Sequence, residues 1–264
     1  MNFADVRRAL SSGSFIVNSI LLLLAGLVVG YVGGGSDAIL RAGGPGTANA
    51  VATAWVLTIF ALGMARGCSL SVLAEDRFAG LLEAPLARPV TRFGLVFARF
   101  GGVVIALAVG SLLGAIGATL GYAAGGRGAV YPSSLTVNLG VGLFLAGLAM
   151  AAICFLVIFT VRSAPSARWA TRGIFWLVFI VAALLLSLSR ASSLLIANPL
   201  LLALNMSANA IPYAPPPSLF PILFAAYQGV RIGTDGTLAV GLLWCALLIG
   251  LVAYETRTSD LVGA

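Results

Sequence analysis

Long apolar runs, separated by charged residues, glycines or prolines, divide the chain into segments of membrane length. A helix needs about 20 apolar residues to cross a hydrocarbon core of about 30 Å. Six runs are of roughly this kind, and we interpret each as a transmembrane helix. They are Phe15–Val32, Ala48–Leu73, Phe100–Ala124, Leu135–Val161, Gly173–Leu188 and Thr237–Tyr254.

The start of the chain, residues 1–12, has a different pattern. Its apolar residues Phe3, Val6 and Leu10 fall on one helical face, away from the charged residues. This pattern is typical of a short amphipathic helix that lies in the membrane interface. The alternative is a frayed tail.

The stretch between the fifth and sixth runs, residues 190–236, is too apolar for an ordinary loop. Leu194–Leu204 and Ile222–Tyr227 are too short to cross a bilayer, and several prolines between them prevent regular helix. We interpret them as a pair of re-entrant half-helices, which are tolerated where protein or water covers the broken backbone. The alternative makes Ser193–Ile211 a seventh span.

Composition supports a membrane protein rather than a soluble one. The chain is 60% hydrophobic and 9% charged, whereas soluble domains are about a quarter charged. Mean hydropathy is +1.08. The sequence therefore predicts an all-α membrane protein, with residues 1–264 forming a single transmembrane domain.

The placement of arginine predicts the orientation. All 15 basic residues are arginine. With the N-terminus inside, 11 of them face the cytoplasm and 4 face outward, so the positive-inside rule places both termini in the cytoplasm. We expect the membrane to be a prokaryotic inner membrane. The 11 are Arg7, Arg8, Arg66, Arg77, Arg88, Arg92, Arg99, Arg162, Arg168, Arg172 and Arg257, and the 4 are Arg41, Arg127, Arg190 and Arg231.

Two missing residue types exclude several kinds of chemistry. The chain has no lysine, which excludes the phosphate-binding loop of nucleotide-hydrolysing enzymes, and no histidine, which excludes Ser-His and Cys-His catalytic pairs. Cys68, Cys154 and Cys245 lie far apart in apolar stretches, which indicates buried thiols. We therefore expect no catalytic, cofactor or metal site in this chain. Because the arginines are spread between apolar segments, we also expect no nucleic-acid partner.

Arg66 is the one charged residue within a predicted span. We interpret its side chain as snorkelling to the inner interface, the alternative being a role in a substrate path. Secondary transporters commonly carry internal repeats and ionisable residues at the bilayer midplane. The chain shows neither, which makes an ion-coupled carrier the weaker interpretation.

Small residues recur at four-residue spacing in the first and third spans. Such spacing lets helix backbones approach closely in lipid. We expect these glycines to pack helices within the bundle, with self-association as the alternative. The pairs are Gly26 with Gly30, Gly110 with Gly114, and Gly117 with Gly121.

The stretch between the second and third spans, residues 74–93, has an amphipathic pattern. At about 100° per residue, apolar and acidic side chains fall on different sides of a short helix. The apolar side comprises Phe78, Leu81 and Leu82, and the acidic side Glu75, Asp76 and Glu83. Pro85 and Pro89 end that helix, and Thr91 is placed to cap the next one. The alternative is a solvated connector.

This stretch resembles the permease subunits of ABC transporters of the type-2 exporter family. The resemblance extends over nearly the whole chain, because six spans, an N-terminal interfacial helix and paired short helices before the last span are also shared. Residues on the family's pattern are Glu75, Gly80, Leu82, Glu83, Pro89 and Arg92. Leu81 departs from it, since Thr or Ser usually follows the glycine, and so does Arg99, where Lys is common.

The resemblance implies a transport subunit that is not itself an enzyme. Two such subunits, identical or different, pair in the bilayer, and each docks on a separate cytoplasmic ATPase that binds ATP and Mg. The loop, as a coupling helix, and the N-terminal helix receive the motion of the ATPase. The expected ATPase-coupling residues are Glu75, Asp76, Arg77, Gly80, Leu82, Glu83, Pro89 and Arg92. A non-transporting scaffold or assembly subunit is the main alternative.

Overall fold

A computed structural model describes residues 3–39, 47–78, 91–126, 132–187, 198–208 and 233–258. These residues form eight continuous helices and, within those ranges, no strand. The helices are α1 (Phe3–Ser11), α2 (Gly13–Ile39), α3 (Thr47–Ser69, continued by Leu70–Ala74 and Glu75–Phe78), α4 (Arg92–Gly125), α5 (Ser133–Thr160), α6 (Ala164–Ser187), α7 (Pro199–Ala208) and α8 (Thr234–Thr258).

Five of the described helices are long and apolar enough to cross a membrane, which makes this a multi-pass membrane protein. Their candidate spans are Gly13–Gly35, Asn49–Ala74, Phe93–Gly125, Ser133–Thr160 and Thr234–Arg257. The fifth predicted span, Gly173–Leu188, coincides with most of α6, which is helical but is not among these five. Six crossings therefore stay a prediction.

Contacts at the helix ends show that the long helices alternate in direction. The end of α3 meets the starts of α2 and α6 and the end of α5, through Ser12 with Cys68, Arg66 with Thr171, and Arg77 with Ile158. The end of α8 meets the start of α4, where Arg257 lies 6.0 Å from the Phe93 ring centre.

All arginines of the described residues lie at this same end of the bundle, which we call the arginine-rich end. They are Arg7, Arg8, Arg66, Arg77, Arg92, Arg99, Arg162, Arg168, Arg172 and Arg257.

The centre of the bundle is α5. Most of its side chains are buried, and it packs against α3, α4, α6, α7 and α8. Burial on all sides explains why α5 is apolar around its whole circumference, since a helix surrounded by other helices has no polar face.

A glycine seam joins α2 to α4 over the half of the bundle away from the arginine-rich end. Its members are Gly26, Gly30 and Gly34 of α2 and Gly117, Gly121 and Gly125 of α4, each of which lies against backbone atoms of the other helix. A Cβ atom at Gly121 would lie 2.2 Å from the carbonyl oxygen of Leu27. The two helices can approach this closely only because these positions lack a side chain.

The short helix α7 occupies part of the region predicted to hold two half-helices. It starts at Pro199, inside the predicted Leu194–Leu204, and ends beyond it at Ala208. The Asn198 side chain caps its start by accepting from the backbone N–H of Leu200 at 2.9 Å. Residues 200–207 are all buried. The second predicted half-helix, Ile222–Tyr227, lies outside the described residues.

Candidate functional site

The structure describes some of the predicted ATPase-coupling residues, and these lie at the arginine-rich end. Glu75 is exposed and Arg77 is half-buried, both in the last turn of α3. Asp76 and Arg92 lie in helices, in α3 and at the start of α4, but their side chains are outside the description. Gly80, Leu82, Glu83 and Pro89 lie outside the described residues.

Only the first turn of the predicted coupling helix is among the described residues. Residues Glu75–Phe78 continue α3 without a break, so the first turn of the predicted loop extends the membrane-length helix itself. A shift of this turn is therefore a shift of α3.

A π-helical segment, Leu70–Ala74, lies just before that last turn. At its end the backbone N–H of Glu75 donates to the carbonyl oxygen of Leu70, which is the wider hydrogen-bonded ring of a π-helix. Such segments are rare and occur frequently at functional sites. The wider turn shifts the side chains that follow it, including those of Glu75 and Arg77, around the helix axis relative to a regular α-helix.

Arg99 ties α4 to the π-helical segment. Its side chain is only 6% exposed, and its Nη1 atom donates to the carbonyl oxygen of Val72 at 2.7 Å. A hydrogen bond from a charged donor is stronger than one between neutral groups. The first turns of α4 and the end of α3 are therefore joined by a buried charged side chain.

Arg77 ties the last turn of α3 to α5. Its Nη1 atom donates to the carbonyl oxygen of Ile158, and its guanidinium lies 5.3 Å from the centre of the Phe78 ring. Partial burial lowers the pKa of the Arg77 guanidinium from its ordinary value. The side chain nevertheless keeps its charge, because arginine does not lose its proton in proteins.

The N-terminal helix α1 packs on the same structural unit. It contacts α4, α2 and the π-helical segment, with Ala9 fully buried and Leu10 packed against the core. Ser12 then caps α2 by accepting from the backbone N–H of Phe15 at 3.1 Å. A helix is thus present in the predicted segment, and Ala9 and Leu10 lie against protein. Its position in the membrane interface stays a prediction.

The structure brings together α1, the π-helical segment, the last turn of α3 and the first turns of α4. A force applied to the last turn of α3 reaches α4 through Arg99 and α5 through Arg77. The arrangement is suited to transmitting motion.

Sequence reasoning missed Arg99 as a structural link and noted it only as a departure from the family pattern. The available signal was an arginine between Phe97 and Phe100, directly before the predicted span Phe100–Ala124. An intramembrane charge is costly and needs a partner. No comparable feature of the sequence predicted the π-helical segment.

Metal-binding and thiol chemistry find no support in the described part of the chain. There, no group of three or more His, Cys, Asp and Glu residues could hold a metal ion. Cys68, Cys154 and Cys245 are buried thiols that form no disulfide. The Sγ atom of Cys245 lies 3.6 Å from the carbonyl oxygen of Leu145, as expected for a small side chain packed between helices.

No protein-family model matches this chain, and no curated protein is significantly similar to it in sequence. A functional assignment therefore rests on the loop motif and on the geometry of the arginine-rich end.

Proposed function

We propose that this chain is the membrane-spanning half of an ATP-driven exporter of the type-2 ABC family. It pairs with a second permease subunit, identical or different, and docks on a cytoplasmic ATPase that holds ATP and Mg. One observation carries the proposal: α3 runs without a break from its membrane-length part into the loop, and Arg99 and Arg77 tie its end to α4 and α5.

The proposed mechanism is a rigid-body switch. ATP closes the two ATPase domains, and the docked loop of each permease follows them. Because the last turn of α3 is part of a long helix, its displacement tilts α3 and pulls on α4 and α5. The path between the two permease subunits then opens toward the outside or the outer leaflet.

The proposed orientation places the arginine-rich end in the cytoplasm of a prokaryotic inner membrane, following the positive-inside rule. Both termini are then cytoplasmic, and α6 also crosses the membrane, which brings the number of crossings to six. With this orientation α1, the last turn of α3 and the start of α4 all face the ATPase.

Charge reversal in the loop tests the proposal. The variants are Glu83→Arg and the double variant Glu75→Arg with Asp76→Arg. Each replaces an acid, proposed to contact basic groups on the ATPase, with an arginine that repels them. Losing one side of a desolvated charged contact costs about 2–5 kcal/mol. We expect a tagged variant extracted in mild detergent to lose its ATPase, which otherwise copurifies at one copy per permease, or to lose substrate-stimulated ATP hydrolysis in liposomes.

The matched control is Asp235→Arg, which makes the same charge change at an exposed position at the other end of the bundle. It should keep both the ATPase and the stimulated hydrolysis. Two results would contradict the proposal: a wild-type chain that retains no ATPase from its native membrane, or loop variants that behave like Asp235→Arg.

A further inference from the structure

A cavity of about 490 Å³ opens at the arginine-rich end, between the start of α2, the end of α3 and the start of α6. Gly67 allows α2 to close one wall, because a Cβ atom there would lie 2.4 Å from the Oγ atom of Ser14. The polar side chains that line the cavity are Ser14, Arg66, Ser71, Glu75, Arg168 and Arg172.

The charges around this cavity do not balance. Among the described side chains that line it, three arginines face one acid, Glu75, and none of the three forms an ion pair with another described side chain. Arg66 and Arg172 are close enough for their positive charges to interact. Arg172 also lies over the ring of Trp169, at 5.7 Å from its centre. Bringing guanidinium groups together without an anion costs free energy, so the cavity favours a negatively charged occupant.

Unused hydrogen-bond donors in the cavity also favour a negatively charged occupant. Arg66 donates from Nε to the Thr171 hydroxyl and from Nη2 to the carbonyl oxygen of Arg168, and both distances are 3.4 Å. These bonds are long and employ two of the five N–H groups of a guanidinium. The Ser14 hydroxyl donates to no described residue. The cavity thus offers several donors to an incoming group.

We propose that this cavity binds a phosphate group, carried by an anionic phospholipid or by a soluble phosphate. Guanidinium groups bind phosphate oxygens in pairs, and a group with several anionic oxygens satisfies three arginines where a single carboxylate does not. Basic pockets between transmembrane helices on the cytoplasmic side bind lipid phosphates. Trp169, which is 70% exposed beside the cavity, is the residue type found at the lipid headgroup level.

Two binding assays on the full chain distinguish the two sources. In the first, nanodiscs of phosphatidylcholine receive increasing phosphatidylglycerol, and native mass spectrometry counts the phosphatidylglycerol retained per chain. In the second, inorganic phosphate is added to phosphatidylcholine nanodiscs, and the shift of the thermal unfolding midpoint is measured. Arg66→Gln and Arg172→Gln should each weaken binding about tenfold, because a charged hydrogen-bond donor is lost. Arg162→Gln removes the same charge at an exposed position outside the cavity lining and should change nothing.

Retention of phosphatidylglycerol in the first assay, without stabilisation by free phosphate in the second, identifies a lipid headgroup. Stabilisation by free phosphate identifies a soluble ligand. The proposal is overturned if neither binds, or if Arg162→Gln weakens binding as much as Arg172→Gln, since the attraction would then be a diffuse surface charge. Arg172 is exposed, so Arg172→Gln should fold. Its binding result therefore decides the outcome even if Arg66→Gln fails to fold. The assays need no ATPase and leave the proposed transport function untested.

Discussion

The glycine seam and the arginine-rich end both join α4 to a neighbouring helix, but they do so in opposite ways. In the seam, backbone lies directly on backbone because six positions have no side chain. At the arginine-rich end, the long side chains of Arg99 and Arg77 bridge from one helix to the carbonyl oxygens of another. A backbone contact is lost after a small slide, whereas a long side chain can follow a moving carbonyl. One half of the bundle is therefore suited to stay rigid and the other to rearrange.

The largest expected effect comes from adding one methyl group to the seam. In Gly121→Ala the new Cβ atom would lie 2.2 Å from the backbone oxygen of Leu27, so α2 and α4 must separate. We expect the free energy of unfolding to fall by about 3 kcal/mol, at the upper end of overpacking costs. Equilibrium unfolding in mixed micelles measures it. Gly250→Ala is the control, since a Cβ atom there meets nothing within 4 Å. Equal stability of the two variants would show that the helices are not in backbone contact.

A smaller effect is expected at the other end, in Arg99→Met. The variant keeps an apolar chain of similar length but loses the hydrogen bond to Val72. A bond from a charged donor contributes about 1.5–3 kcal/mol, and we expect a loss of about 2 kcal/mol in the same unfolding assay. Arg162→Met, at an exposed position, is the control. If Arg99→Met is as stable as the wild type, the free energy gained by no longer burying a charged guanidinium equals the free energy lost with the hydrogen bond.

The smallest effect should come from a neutral hydrogen bond between α4 and α5. The hydroxyl groups of Thr119 and Thr136 lie 2.9 Å apart. In a double-mutant cycle of Thr119→Val and Thr136→Val we expect a coupling energy of about 0.6 kcal/mol, typical of hydrogen bonds between helices in membranes. Thr160→Val removes a bond within its own helix and should show no coupling to either. A coupling energy above the cost of Gly121→Ala would show that this hydrogen bond, rather than backbone contact, is the stronger link in this half of the bundle.

Apolar runs predicted where the helices lie, but not where they end. Thr91 caps α4 as predicted, accepting from the backbone N–H of Gly94 at 3.1 Å, and the helix therefore starts at Arg92, well before the apolar run. Helix α6 starts at Ala164 and not at Gly173, because Ser163 accepts from the backbone N–H of Ser166. Hydropathy reports the character of the side chains. The end of a helix is instead set by where the backbone N–H groups find partners outside the helix.

Local sequence signals were also open to two interpretations. Asn198 and Pro199 interrupt the apolar run Leu194–Leu204, yet they form the cap and the first position of α7. Both residues are favoured at helix starts.

The partner of each glycine could not be predicted either. Gly117 and Gly121 lie on the backbone of α2, whereas a Cβ atom at Gly110 would meet the side chain of Met64. Spacing identifies a face of the helix but not what packs on it. The residues of the candidate site were found only as far as the loop motif extended, since Arg99 acts through a contact distant in sequence.

The burial of α7 has a consequence for the order in which the protein is built. At 1.5 Å per residue, a helix of ten residues reaches only about half-way through the hydrocarbon core. It cannot partition into lipid as an independent span, because its ends would leave backbone groups without partners there. Its neighbours α3, α5 and α6 precede it in the chain, while α8, to which Asn205 bonds through Thr237, follows it. During synthesis α7 can therefore pack only after α3, α5 and α6 have inserted. The later insertion of α8 completes its burial.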